Sequence, residues 1–364
     1  MASRLLNRPT LKEIAAHSGV SMATVDRVLS NRAKVSPHTR ERVMRSIESL
    51  TGGAVSVSGQ SEVEPRKTKP LSFALVMEGG SAFIRSVERK LDSVRKRYEA
   101  LGITLTTYVP QRYSVSAYKK LLQSAADKHE GLVVVSRENS EISATINAIV
   151  TGGTPVVCLT TDLSDTLRLG YSGMNNTGAG RVAARLMGKF TGDQPGDVIL
   201  IVSAPYHCQY ERELGFRRIL RENFPNLSIR ESIDNHDSDA DSYDGLMRLF
   251  NSGVKPLGIY NVTGGTAGVV RALDEKGWTD DCFYIAHELD DVSHPLLAEG
   301  KINVVMDQDL RAEIILALNG LMYHCGVLAR APVFTEASPI VTTRENMGGL
   351  LEIDIPSLDD LILS

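Results

Sequence analysis

The spacing of apolar residues changes twice along the chain, and each change predicts a different kind of structure. Between residues 10 and 50 apolar positions recur at helical intervals in three short blocks. Leu11, Ile14 and Ala15 make the first, with Thr10 placed to cap it and Glu13 to complete a capping box. Ser18-Gly19 marks its stop, because glycine tolerates the left-handed turn that ends a helix. Ser21 caps a second helix with Val25, Val28 and Leu29 on its inner stripe, and Asn31-Arg32 breaks the pattern. Ser36, followed by Pro37 at the first helical position, opens a third whose Val43, Ile47 and Leu50 face inwards. Three short helices with a glycine turn between the first two describe a small all-α helix-turn-helix module.

Residues 51–70, TGGAVSVSGQSEVEPRKTKP, carry no stripe and read as a flexible tether rich in Gly, Ser and charge. Beyond them the period changes again. Short apolar runs predict strands at 71–77, 103–109, 131–136, 154–160, 197–203, 256–262 and 282–288, separated by amphipathic helical patterns such as 83–102 and 116–130. Strand-helix alternation at this spacing predicts parallel sheets covered on both faces. The elements outnumber what one sheet holds, so α/β architecture with two Rossmann-like lobes and a cleft between them is expected. The expected division is a headpiece at 1–50, a tether at 51–70 and a two-lobed body at 71–364.

Charge sharpens that division. The chain carries net charge −4, which by itself argues against a nucleic-acid partner. Residues 1–50, however, hold nine basic groups against four acids, a net +5 that leaves −9 for the rest. A basic head on an acidic body suits a chain in which only the head meets phosphates, although a solvated surface with chance asymmetry has the same signature. The four cysteines (Cys158, Cys208, Cys282, Cys325) show no metal or CxxC spacing, and the eight histidines show no HxH or HExxH. No metal or cofactor is expected. With no run of about 18 apolar residues and no apolar h-region near the start, neither a membrane span nor a secretory signal is expected, and the location expected is cytoplasmic.

The stretch TLKEIAAHSGVSMATVDRVLSNRAKVSPHTRERV, residues 10–43, closely resembles the headpiece of the LacI family, with its glycine, Val-Ser, Thr-Val and Arg-Val at the family's intervals. The resemblance implies a DNA-binding transcriptional regulator, a homodimer whose two heads read the halves of a double-stranded operator about one helical turn apart. It places Met22 and Ala23 at base-reading positions and makes Arg27 the reader of a guanine edge, whose two acceptors match a guanidinium fork. Ser21, Thr24, His38 and Thr39 are implied phosphate contacts, and Thr10 at the head of the first helix joins the DNA-binding set. Asp26 stands where the family has serine, and either accepts from a cytosine amino group or pairs near Arg27. The tether lacks the Tyr-x-Pro-Asn-x-x-Ala-Arg hinge-helix motif that the family carries there.

Most of 71–348 also resembles the periplasmic-binding-protein type I fold, through PVVCLTTDL, YSGMNNTGAGRVAARLM, RELGFRRIL and VMDQDLRAE in that order. Ligands of open α/β sheets sit at the carboxyl ends of strands, which directs attention to the residues there. Phe83 falls where sugar-binding relatives stack an aromatic ring, and Arg212 matches the cleft arginine. Arg137, Thr160, Thr161, Asp162, Tyr206, Asn261, Glu288 and Gln308 complete the expected effector-binding set, each singly open to reading as a cap or loop residue. Carboxylate, amide and guanidinium together suit a sugar or polyol, because every buried hydroxyl needs a partner.

An enzyme is not expected. Its best support, NVTGGTAGVV at 261–270, puts a glycine pair before a helix but lacks the full Gly-x-Gly-x-x-Gly fingerprint. The alternatives kept beside a regulator are a solute-binding receptor of a sugar uptake system and an enzyme acting on a sugar-like ligand. The tail LEIDIPSLDDLILS has no sustained leucine heptad, so a tetramerising coiled coil is not expected.

Overall fold

The computed structural model describes residues 11–18, 20–22, 24, 25, 28, 39, 43, 46, 70–112, 114–203 and 206–348, apart from the side chains of 11–13 and 231–234. The chain divides into two compact units, Met1–Lys67 and Thr68–Ser364. The expected tether up to residue 69, with its question of a hinge helix, and the tail beyond 348 lie outside the described residues.

In the first unit α1 spans Leu11–Ser18, and the Ser18 hydroxyl donates to the Ile14 carbonyl at 2.6 Å in its last turn. Helical residues recur at Met22, Thr24, Val25 and Val28, then at Thr39, Val43 and Ser46. Ile14, Ala15, Val25, Val28 and Val43 form one buried cluster with Val20 packed against it, as the helical spacing predicts. Ser21 caps the second helical stretch, since its Oγ accepts the Thr24 amide at 3.2 Å.

The second unit holds two parallel sheets. In the first lobe β1 (Leu71–Met77), β2 (Ile103–Tyr108), β3 (Gly131–Val135), β4 (Val156–Leu159) and β5 (Gly170–Ser172) lie in the order β2-β1-β3-β4-β5. In the second β6 (Gly196–Val202), β7 (Leu227–Asp234), β8 (Pro256–Asn261), β9 (Phe283–His287), β10 (Val304–Asp307) and β11 (Ile340–Thr342) lie in the order β11-β10-β9-β8-β6-β7. Only β11 runs antiparallel to its neighbour. All seven strands expected from apolar runs are present. β5, β7, β10 and β11 were not expected: three are only three or four residues long, and β7 is a polar-alternating edge strand, LSIRESID.

Both faces of each sheet are covered, so the central strands read as unbroken apolar runs. Phe73–Met77 of β1 are all fully buried. On one face lie α2 (Ser81–Ala100), with Val87, Leu91, Val94 and Tyr98 inward, and α10 (Leu310–His324). On the other lie α3 (Val115–Ala126) and α4 (Ser140–Thr151). The second sheet is sandwiched between α5 (Asn176–Phe190) with α6 (His207–Asn223), and α7 (Asp239–Asn251) with α8 (Thr266–Lys276) and α9 (Ser293–Ala298).

Three chain segments pass between the lobes: β5 into α5, β10 into α10, and the return from α10 to β11. Two of them pair where they cross, through Asn175 N to Ala337 O at 2.8 Å and Ala337 N to Gly173 O at 3.0 Å. The helices α5 and α6 approach unusually closely. A Cβ on Gly180 would strike the Arg212 carbonyl oxygen, and one on Gly215 the Thr177 carbonyl oxygen. Gly215→Val therefore overpacks backbone that cannot yield. The expected loss is about 3 kcal/mol, read as a lowered midpoint in thermal or urea unfolding.

Among the described residues no helix is long and apolar enough to cross a membrane, and no group of His, Cys, Asp or Glu is arranged to hold a metal ion. All four cysteines are free thiols, three of them buried.

Candidate functional site

Strand order reverses between β1 and β3 in one lobe and between β6 and β8 in the other, and crevices open at the carboxyl ends of strands at such points. A deep cleft lies there. It encloses about 1010 Å³ of empty space, part of it open to solvent, and is lined from both lobes by residues that follow β1, β4, β8 and β9.

Arg212 on α6 organises the inner wall. It is 4% exposed, yet every arm of its guanidinium is committed. Nε donates to Asn176 Oδ1 at 2.9 Å, one terminal nitrogen to the Val262 carbonyl at 3.0 Å, and the other to Glu288 Oε1 at 3.4 Å. Gln308 Nε2 donates to the same Glu288 oxygen at 2.8 Å. Burial raises the Glu288 carboxyl above the ordinary carboxylate range despite Arg212 and Gln308. On the opposite wall Glu78, 2% exposed, accepts from the Arg137 amide at 2.7 Å, from Arg137 Nε at 2.9 Å and from the Ser136 hydroxyl at 3.2 Å. Burial raises Glu78 as well, against those partners.

The lobes touch across the opening. The Arg137 guanidinium lies over the Tyr206 ring at 5.6 Å from its centroid, and the Cys208 amide donates to Thr161 Oγ1 at 3.3 Å. At the lip Arg85 and Arg89, one turn apart on α2, both pair with Asp291.

Three cleft residues other than glycine hold left-handed backbone: Thr160 (φ 63°), Asp237 (φ 57°) and Glu288 (φ 64°). Such conformations cost about 1–3 kcal/mol each and cluster at functional sites. Several polar atoms around the cleft are buried without a hydrogen-bond partner: Thr160 Oγ1, the Tyr206 hydroxyl, His287 Nδ1 and Gln308 Oε1. His287 is held neutral by burial and by Arg212, its Nε2 sharing a 2.8 Å hydrogen bond with the Tyr260 hydroxyl. Acceptors, donors and an aromatic ring thus face one cavity, an arrangement able to bind a polyhydroxylated molecule.

Of the expected effector-binding residues, Phe83, Thr160, Thr161, Tyr206, Arg212 and Glu288 line this cleft. Gln308 and Arg137 stand one layer behind, orienting Glu288 and Glu78. Asn261, fully buried, shapes the turn after β8 by donating to the Gly264 carbonyl at 3.0 Å and accepting the Thr263 amide at 3.2 Å. Asp162 turns away to Arg168, 2.5 Å from its terminal nitrogen, and to the Leu163 amide. Glu78, Gln209, Asp237, Thr263 and His287 also line the cleft and were not expected. Glu78 and His287 sit at strand ends where the same rule finds them; Asp237 follows β7, whose alternating pattern hides it. In the first unit Ser21 and Met22 are exposed, Thr24 and Thr39 are half-buried, and Ser21 Oγ and Thr24 Oγ1 lie 2.9 Å apart. Thr10, Ala23, Arg27 and His38 lie outside the described residues.

Two doubly wound lobes around a polar cleft, joined by three crossing segments, define a two-lobed ligand-binding fold. The chain belongs to the family described as periplasmic binding protein domain, whose model matches residues 73–324; ahead of it, residues 10–51 match the model of bacterial regulatory proteins of the lacI family. The chain is 30% identical over 99 residues (27% of its length) to the HTH-type transcriptional regulator GalS of Salmonella typhimurium, and 48% identical over 44 residues (12%) to the maltose regulon regulatory protein MalI of Vibrio furnissii. It spans 28% and 32% of those two relatives. A solute-binding protein of an ABC transporter from Burkholderia graminis, solved in complex with D-arabinose, shares the fold at 19% identity and a TM-score of 0.72, over 78% of this chain and 99% of that one.

Arg212→Met leaves the half-buried Glu288 without its cation and the buried Asn176 and Val262 oxygens without their donor, at an expected cost of about 3 kcal/mol, and adding Glu288→Gln recovers part of it in urea unfolding. Asp307, at the end of β10, has its pKa raised to about 7 by burial and by Glu288. It binds its proton more tightly folded than unfolded, so its contribution is complete below about pH 4 and disappears as pH rises through about 7. That is roughly 4 kcal/mol. Asp307→Asn flattens the fall in stability between about pH 4 and 7; an unchanged slope would assign it to other groups.

Proposed function

We propose that the chain is a DNA-binding transcriptional regulator, a repressor, whose hold on operator DNA is set by a sugar or polyol bound between the two lobes of its body. The observation that carries the reading is the conjunction of a lacI-type head with a cleft whose buried Arg212–Glu288–Gln308 network and unpartnered Thr160, Tyr206 and His287 atoms suit ligand hydroxyls. Phe83 supplies the apolar face against which a sugar ring packs. Thr161 and Gln209 add polar groups at the wall. The protein acts as a cytoplasmic homodimer without metal or cofactor, and it performs no chemistry on its ligand. A solute receptor for uptake shares the cleft but has no use for the match at 10–51.

Control follows from population shift. Ligand contacts made from both lobes favour the closed cleft, and closure changes the spacing of the two heads; only a ligand with different affinity for the two states achieves this. In the head, Ser21, Thr24, His38, Thr39 and Thr10 hold phosphates while Met22, Ala23 and Arg27 face base edges.

Arg27→Ala is expected to cost about 1–3 kcal/mol on the cognate site and little on random DNA, measured by fluorescence anisotropy. The effector is sought by thermal shift with pentoses, hexoses, disaccharides and polyols. A compound at about 100 times its Kd adds about 2.7 kcal/mol, and each hit is then titrated into the operator complex. Identical operator affinity with and without a saturating hit would falsify the control mechanism.

A further inference from the structure

The glycine pair before α8 is the place in the cleft where the sequence best supports a phosphate, because free amides at a helix N-terminus attract anions. In the folded chain two of the amides at this junction are already taken by carboxylates. Asp237 Oδ1 accepts the Gly264 amide at 3.0 Å and the Thr263 hydroxyl, and Asp239 Oδ1 accepts the Gly268 amide at 3.2 Å. The arrangement is constructed, not incidental. Asp237 adopts φ 57°, an uncommon conformation for a residue other than glycine, and Asn235 fixes it by accepting the Asp237 amide at 3.1 Å while donating to the Gly264 carbonyl at 2.8 Å. Gly265 itself needs φ 77°, and a Cβ there would strike Ser242 Oγ.

The remaining charges point the same way. Five carboxylates line the cleft, Glu78, Asp237, Asp239, Glu288 and Asp290, against two guanidinium groups. Both guanidinium groups are engaged by the protein's own carboxylates, Arg212 by Glu288 and Arg85 by Asp291, and Arg137 behind the wall is engaged by Glu78. A phosphate or carboxylate entering here meets Asp237, Asp239 and Asp290 and gains no cation that is not already paired.

We infer that Asp237 and Asp239 are specificity-determining residues that reject anions, so that the cleft takes an uncharged polyhydroxylated ligand and excludes sugar phosphates and sugar acids. The inference rests on the small-molecule reading above and narrows it. Hydroxyl groups suit the site because they donate to carboxylates and accept from the unpartnered Tyr206 and Thr160 hydroxyls.

The test uses the full chain in EDTA-treated buffer, with calorimetric titration of inorganic phosphate and of matched pairs: glucose and glucose 6-phosphate, galactose and galacturonate, inositol and inositol phosphate. Any charged member is expected to bind the wild type at least about 100-fold more weakly than its neutral parent, as like-charge juxtaposition demands. Asp237→Asn and Asp239→Asn keep an oxygen acceptor for the helix amides and remove the charge. Their combination is expected to bind inorganic phosphate at least about 10-fold more tightly than wild type. A charged member that binds the wild type better than its parent overturns the inference, and so does an unchanged phosphate affinity in the double variant. The wild-type pairs decide the matter if the variant does not fold. Silence from every neutral compound counts instead against the small-molecule reading, while the phosphate contrast is read without knowing the effector.

Discussion

A buried guanidinium is tolerable only when its donors are matched, and Arg212 meets that demand with partners from three separate parts of the second lobe. Asn176 belongs to the start of α5, the Val262 carbonyl follows β8, and Glu288 follows β9 and is itself held by Gln308 beyond β10. One side chain therefore fixes a helix pair over the carboxyl ends of the sheet. Its reach depends on α6 lying close on α5, which the absence of side chains at Gly180 and Gly215 permits. The cleft inherits its rigidity from this arrangement, since the wall facing a ligand is the same network that neutralises the buried charge.

Strand ends were legible because a buried parallel strand is an apolar run whose last residue is unmistakable. Thr160, Glu288 and Asn261 were found in that way, and Phe83 and Arg212 through their likeness to family positions. What the rule could not supply is where a side chain turns once it arrives. Arg137 faces Glu78, 59 positions earlier, and Asp162 is drawn off by Arg168; neither partner is encoded by local spacing. Asn261 is spent on its own turn. Asp237 escaped notice because β7 is an edge strand whose alternation of Leu227, Ile229 and polar residues resembles a loop as much as a strand. β5, β10 and β11 owe their existence to pairing with distant neighbours, which a three- or four-residue pattern does not announce.

The cleft also concentrates backbone conformations that side chains ordinarily avoid. Thr160, Asp237 and Glu288 are each held by a specific bond: the Thr160 amide to the Ser172 carbonyl at 2.9 Å, the Glu288 amide to the Met306 carbonyl at 3.0 Å, and the Asp237 amide to Asn235. In two of these cases the next strand of the sheet is the clamp. At Thr160 and Glu288 the strain is thus held by the sheets themselves.

The path of the chain between lobes has a consequence for biosynthesis. The first lobe's sheet is complete by Ser172, yet one of its faces is covered by α10, whose Leu310, Ile314, Leu318 and Leu321 are made more than 130 residues later. During synthesis β1, β3 and β4 therefore wait with Phe73, Leu75, Val133 and Val157 lacking part of their cover while most of the second lobe emerges from the ribosome. The second lobe, in turn, gains its last strand only after α10 has been laid down. Neither lobe is therefore complete until the chain beyond α10 has been made, and the two close together as one late-folding unit.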